Sequence, residues 1–347
     1  MAIAKAFIAS TLVTAAALVV GVGALNYWID PFMQYRLPWY QPRFPTGYAR
    51  QINAGLARNL TFNSVVLGSS FTTNFSNRDF DREFGGKTIS LAMSGMFASE
   101  GERALAYAFS VKPLKRVFFG LDYFAFDETL NHFQFPEYLY DESLLNDAPY
   151  LLSLDTLKRS MNIVLKRGLD SFNTDPDMPW SWATRDARFN RELALSDYVK
   201  HKSRSIVAKP LPIEKMQQVA SALIIQALVN HPETEFHFFL PPYSALRWIL
   251  DADQGNLGSL LAFRIYLSEL IAQHPNAHLH DFQAMRELVC NLDHYSDVGH
   301  YGPEYNRTMV TAMRSGKFIV SPQTIRKNNS ELQNIVAGRC SGSVPTE

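Results

Sequence analysis

The stretch SVVLGSSFT, residues 64–72, decides how the chain is read. Ser64 to Leu67 is a short β-branched run, too brief for a helix and stopped by Gly68, so it reads as a buried strand ending in a tight turn. A helical stretch over about residues 48–60 leads into it. Downstream, Lys87–Leu91, Arg116–Leu121, Glu235–Leu240 (closed by Pro241-Pro242) and His278–Phe282 repeat the strand pattern. Between and after them come helix-like segments over 100–111, 212–230 and 257–273, and a last helix that starts at Pro303. Strands alternating with helices imply a three-layer α/β/α domain around a mostly parallel sheet of five strands.

The alternation breaks in two places. Residues 128–210 form a long insertion rich in Asp, Asn, Pro and Trp, with one helical piece near Ser153–Lys166, and 321–347 reads as a loose polar tail. Upstream, Lys5 and Asp30 bracket 24 uncharged residues, AFIASTLVTAAALVVGVGALNYWI, enough for a transmembrane helix. Residues 1–29 are therefore read as a membrane anchor or uncleaved signal, with Tyr27 and Trp28 at headgroup level. The rival reading is a signal cleaved near Val22-Gly23-Ala24, which would release a soluble protein. Arg36, Arg43 and Arg50 after the span, against Lys5 before it, blur the charge rule for orientation. Either reading is an export signal, so the body is placed outside the cytoplasm on a single-pass anchor in the inner membrane. Residues 30–60 form a stem and lead-in helix, and 61–320 the α/β domain.

Composition narrows the function. The chain has 347 residues, with 33 Lys+Arg against 33 Asp+Glu, and so lacks the basic footprint of a nucleic-acid partner. Its 24 Phe, 15 Tyr and 5 Trp supply apolar surface that excludes disorder for most of the chain. Cys290 and Cys340 allow one optional bridge and no Cys-rich zinc site.

In open parallel sheets, reactive groups gather beyond the carboxyl ends of the strands. Four strand ends or late loops are unusual here: Gly68-Ser69-Ser70 after the first strand, Ser94-Gly95 after the second, Gly120-Leu121-Asp122 after the third, and Asp297-Val298-Gly299-His300 near the C-terminus. A serine after a tight turn can sit at the N-terminus of the next helix, its own N–H facing an oxyanion, or it can be a plain N-cap. Asp297 and His300 are spaced so that the carboxylate can hold the imidazole tautomer. An alternative reading makes His294, Asp297 and His300 metal ligands, and His274, His278 and His280 are read as surface or edge histidines.

In this order the four motifs, over about residues 62–315, resemble the SGNH or GDSL hydrolase superfamily. The resemblance implies a flavodoxin-like domain in which Ser70 is the nucleophile, Asp297 and His300 complete a triad, and Ser70, Gly95 and Asp122 form the oxyanion hole. It implies no cofactor and no metal. Two positions depart from the pattern: Ser69 replaces an Asp, and Asp122 stands where the family has an Asn that donates to the oxyanion. An ionised carboxylate has no donor to offer. With the N-terminal span, the chain also resembles envelope members that work with membrane-bound O-acyltransferases on teichoic acids or exported polysaccharides. The expected activity is serine-dependent acyl-ester hydrolysis or O-acyl (acetyl) transfer on a glycan or other acyl ester. The alternative is a non-catalytic protein that binds a glycan or scaffolds a membrane complex. Trp180, Trp182, Tyr138 and Tyr140 of the insertion either stack on sugar rings or pack the insertion onto the core.

Overall fold

A computed structural model describes residues 2–166, 173–183, 187–204 and 210–340. Parts of the insertion, and the tail beyond residue 340, lie outside the described residues. Strands β1 (Ser64–Leu67), β2 (Thr88–Ser90), β3 (Arg116–Gly120), β4 (Glu235–Leu240) and β5 (Ala277–Asp281) pair in parallel, in the order β2-β1-β3-β4-β5. Ser64 is aligned with both Thr88 and Arg116, and Arg116 with Glu235, so the carboxyl ends finish along one edge. The inner strands β1, β3 and β4 are largely apolar because both faces are covered. Val65, Leu67, Val117, Phe119, Phe236 and Phe238 point into one core, and Val66, Phe118 and Phe239 into the other.

The helices are α1 (Ala2–Ile29), α2 (Ala49–Asn59), α3 (Asn77–Phe84), α4 (Ala98–Val111), α5 (Ala148–Leu151), α6 (Leu154–Val164), α7 (Arg191–Arg204), α8 (Ile213–Asn230), α9 (Ala245–Asp253), α10 (Leu257–Ile271), α11 (Arg286–Val289), α12 (Glu304–Ser315) and α13 (Pro322–Asn334). Helices α2, α4 and α8 pack into the first core, α3, α9 and α12 into the second, and α10 contributes to both. This is the expected three-layer arrangement. From β1 the chain steps outward to β2 and returns on the other side as β3, which opens a crevice between the carboxyl ends of β1 and β3.

Helix α1 is one continuous 28-residue apolar helix near the N-terminus, long enough to cross a membrane or to serve as a signal sequence. The stem after it is tied to the body. Asp30, buried and at φ +49°, accepts hydrogen bonds from the backbone N–H groups of Gln34, Tyr35 and Arg36 and from the Tyr150 hydroxyl. Burial still raises its carboxyl above the usual range, although each of those bonds opposes the rise.

Two expectations change. The segment 321–340, expected as a loose tail, contains α13, whose Ile325 and Leu332 are buried in the two cores. His280, expected at a surface or edge, is fully buried. Strand β5 is the sheet's edge, but Phe318–Val320 lies along it, with Asp281 N–H donating to the Phe318 carbonyl and Val320 N–H to that of Leu279. The buried His280 ring sits 3.0 Å from the His237 Nδ1 atom, and burial lowers its pKa to about 3. The aromatics of the insertion follow the packing reading. Trp180 is fully buried, donates to the Ser90 carbonyl at 3.1 Å and is no sugar platform, and Tyr140 donates to the Arg50 carbonyl at 2.7 Å. Tyr138 is packed, partly buried, against the first core.

Cys290, just after α11, and Cys340, beyond α13, form a disulfide that closes a separation of 50 residues. Removing it with Cys290→Ser and Cys340→Ser is expected to lower stability by about 2–4 kcal/mol. The check is the thermal unfolding midpoint of the full chain in detergent; an unchanged midpoint would contradict it.

Candidate active site

The turn after β1 sets the site. Gly68 has φ +144°, and a Cβ there would run into the Thr72 side chain. Thr72 N–H donates to the Ser69 carbonyl at 2.8 Å and Phe75 N–H to that of Thr72 at 3.2 Å, so residues 70–74 form a turn and α3 begins only at Asn77. Ser70 therefore sits on a turn, where a helix N-terminus was expected. The backbone after β2 stays paired with the same region, because Leu91 N–H donates to the Val66 carbonyl and Met93 N–H to that of Gly68. That pairing carries the Met93–Met96 turn, with Gly95 at φ +63°, to the same rim.

The third component arrives from the loop before α12. A bridge between Tyr295 and Tyr301 closes this loop, and the Ser244 hydroxyl, donating to the Val298 carbonyl at 2.6 Å, ties it to the start of α9. The Tyr301 hydroxyl donates to the Phe71 carbonyl at 3.1 Å, joining the loop to the Ser70 turn. The result is a hydrogen-bonded chain. Ser70 Oγ lies 2.7 Å from His300 Nε2, and His300 Nδ1 lies 2.7 Å from Asp297 Oδ2. Asp297 Oδ1 accepts from the backbone N–H groups of Gly299 and His300 at 2.7 and 2.8 Å. Burial opposes ionisation of Asp297, but these bonds and the imidazole outweigh it and hold the carboxyl below its usual range.

Two aromatic rings fix the imidazole from different sides. Phe71 stacks on His300 with centroids 4.4 Å apart and planes 9° apart, and Trp182 meets it edge-on at 5.2 Å. Trp182 also donates its indole N–H to the Ser70 carbonyl at 2.9 Å. Asn74 holds the Trp182 segment by accepting from the Ser181 hydroxyl and the N–H groups of Trp182 and Ala183. The packing role of Trp182 was one of the two readings of its sequence, but nothing there pointed to His300 as its partner.

Asp122 is placed differently from its oxyanion-hole expectation. It is buried at the end of β3 and accepts from the Ser69 hydroxyl on Oδ2 and from the Tyr243 hydroxyl, at 2.7 Å, on Oδ1. Both oxygens are acceptors already in use, so the side chain presents no donor. Its work is to tie Ser69, and thus the Ser70 turn, to the segment after β4. Burial pushes its pKa up to about 6, against the opposing Ser69 and Tyr243 hydrogen bonds and the charges of His300 and Arg247.

Arg50 of α2 is a site residue that sequence reasoning missed. Its guanidinium reaches the Ser94 and Gly95 carbonyls, each at 3.3 Å, and is braced by two bonds to Glu100 at 2.6 and 2.7 Å. Holding the carbonyls of this turn fixes the peptide planes on either side of Gly95. The metal alternative fares differently: His294 turns to Glu304 at 3.4 Å, and among the described residues no three His, Cys, Asp or Glu side chains group as a metal site.

No family model and no curated protein sequence matches this chain. Among solved structures, the fold is similar to that of a proposed platelet activating factor from Streptococcus pneumonia, with a TM-score of 0.41 and 9% sequence identity, over 86% of this chain and 98% of that one.

The raised pKa of Asp122 fixes a sign. A buried acid whose native pKa lies above its unfolded value binds more protons when folded, so its contribution to stability is lost as pH rises between the two values. The wild type should therefore lose stability relative to Asp122→Asn as pH climbs from 3.8 through about 6, and the difference should level off above that. Unfolding midpoints of both proteins across this window test it; a pH-independent difference would contradict it.

Proposed function

We propose that this protein is a serine-dependent acyl-ester hydrolase or O-acyltransferase of the SGNH type, tethered to a membrane by α1. The observation that carries the reading is the continuous chain from Ser70 Oγ through the His300 imidazole to Asp297, with 2.7 Å at each link. Geometry of this kind is what nucleophilic activation of a serine requires.

In the proposed reaction, Ser70 Oγ attacks the acyl carbonyl carbon while His300 Nε2 takes the hydroxyl proton. Asp297 holds the Nδ1 proton and favours the imidazolium that forms. The carbonyl oxygen gains negative charge and is received by the backbone N–H groups of Ser70 and Gly95, in a hole that runs on main-chain donors. His300 then passes its proton to the departing alkoxide, leaving an acyl-serine. Water, or a hydroxyl of an acceptor, repeats the sequence in reverse: His300 removes its proton, the new ester or acid leaves, and Ser70 recovers the proton.

The site is open to solvent, with the His300 and Asp297 side chains 27% and 33% exposed, which suits a bulky acyl ester such as an acylated glycan. The Cys290–Cys340 disulfide supports an extracytoplasmic, periplasmic location for the body, because such bonds persist in oxidising compartments. That location would put it beside a membrane-bound O-acyltransferase as a partner.

The full chain in detergent is expected to hydrolyse p-nitrophenyl acetate. Ser70→Ala should abolish the reaction, and His300→Ala should cost about 10²–10⁴ in kcat/KM. Equal rates in all three proteins would remove the triad. Inactivity of all three would favour transfer to an acceptor or the non-catalytic glycan-binding reading.

A further inference from the structure

We propose that α6, with the turn before it, is a second membrane-contacting element that lies in the bilayer interface beside α1. The proposal rests on reading α1 as a membrane span.

Its first support is an inverted helix. An amphipathic helix on a water-soluble body buries its apolar stripe and exposes its polar one. Helix α6 does the opposite. Thr156 and Ser160 are fully buried, whereas Leu154 is 81% exposed and Met161 and the following Leu165 are 38% and 48% exposed. At 3.6 residues per turn, Leu154, Lys158, Met161 and Leu165 fall within about 60° of arc, a single outward stripe whose one cation can extend to headgroups. Such a face costs free energy in water and gains it against acyl chains.

The second support is continuity with α1. The buried polar face of α6 meets that helix through Ser160, whose hydroxyl donates to Asn26 Oδ1 at 2.8 Å, while Asn26 Nδ2 donates to the Leu151 carbonyl of α5 at 2.8 Å. Asn26, fully buried, thus fixes α1 against the body rather than leaving it as a swinging tether. Just before α6, Leu152 lies against Gly23, where an added Cβ would touch it at 3.5 Å. Gly23 is about 9 Å inside α1 from Ile29, at 1.5 Å per residue. A bilayer that covers α1 to its end must therefore also meet Leu152 and the outward stripe of α6. Trp28 and Trp39, 65% and 66% exposed near the same end of α1, fit an aromatic belt at that level.

The test uses the full chain in phospholipid vesicles, with the Cys290–Cys340 disulfide intact and one added cysteine carrying an environment-sensitive NBD fluorophore. Met161→Cys probes α6, Val13→Cys probes α1, and Gln218→Cys, on the exposed side of α8, is the aqueous control. Lipids bearing a quencher near the headgroup should quench Met161→Cys strongly and blue-shift its emission, lipids quenched at the chain end should act most on Val13→Cys, and neither should affect Gln218→Cys. Quenching at Val13→Cys with none at Met161→Cys would overturn the α6 proposal and leave the span standing. No lipid quenching at either would overturn the span itself. A blue shift at Met161→Cys without lipid quenching would assign the stripe to contact between protein copies and equally overturn the proposal.

Discussion

Thr72 occupies a gap that exists because glycines stand at the carboxyl ends of two adjacent parallel strands, Gly68 just after β1 and Gly120 as the last residue of β3. A Cβ on Gly68 would collide with its side chain, and one on Gly120 would come within 2.5 Å of its hydroxyl oxygen. The chain after β1 can therefore fold back directly over the ends of β1 and β3 instead of entering a helix. The position of Ser70 and the contacts of its turn with the His300 loop follow from that close approach. It sets Ser70 at the switch point of the sheet, brings Phe71 flat against His300, and places the Phe71 carbonyl where Tyr301 can bind it. Three loops distant in sequence are thus located by one turn.

Two buried carboxylates keep this arrangement rigid. Asp122 joins the Ser69 hydroxyl to Tyr243, and Asp30 gathers three stem N–H groups and the Tyr150 hydroxyl. In each, burial works against the charge and hydrogen bonds work for it, which is the balance that lets a polar group fix a geometry in an apolar setting. The first sets the nucleophile turn; the second sets the exit of α1. Asp122 thereby has a structural role in the very position where a side-chain donor to the oxyanion was looked for.

Much of this was legible in the sequence, for identifiable reasons. Strands buried on both faces are dominated by apolar residues, so SVVL, RVFFG and EFHFFL mark themselves, and Ser70, Gly95 and Asp122 follow the ends of such strands. Asp297 and His300 were legible because they stand only three positions apart. What escaped depends on tertiary neighbours. Arg50 precedes the Gly95 turn it holds by 45 positions, and Trp182 reaches the site from an irregular insertion without periodicity. His280 looked like an edge residue because nothing in β5 announces that Phe318–Val320 covers it. The polar composition of 321–340 hid a helix whose few apolar residues, Ile325 and Leu332, are the ones that pack.

The central claim is that Ser70 is a nucleophile activated by His300. A fluorophosphonate probe tests it most directly, since the serine oxygen displaces fluoride and keeps the phosphonyl group. After digestion of the labelled full chain, mass spectrometry should find the adduct on the peptide carrying Ser70, and His300→Ala should lose it while remaining folded. Labelling that is absent, that falls on another residue, or that persists unchanged in His300→Ala would contradict the account.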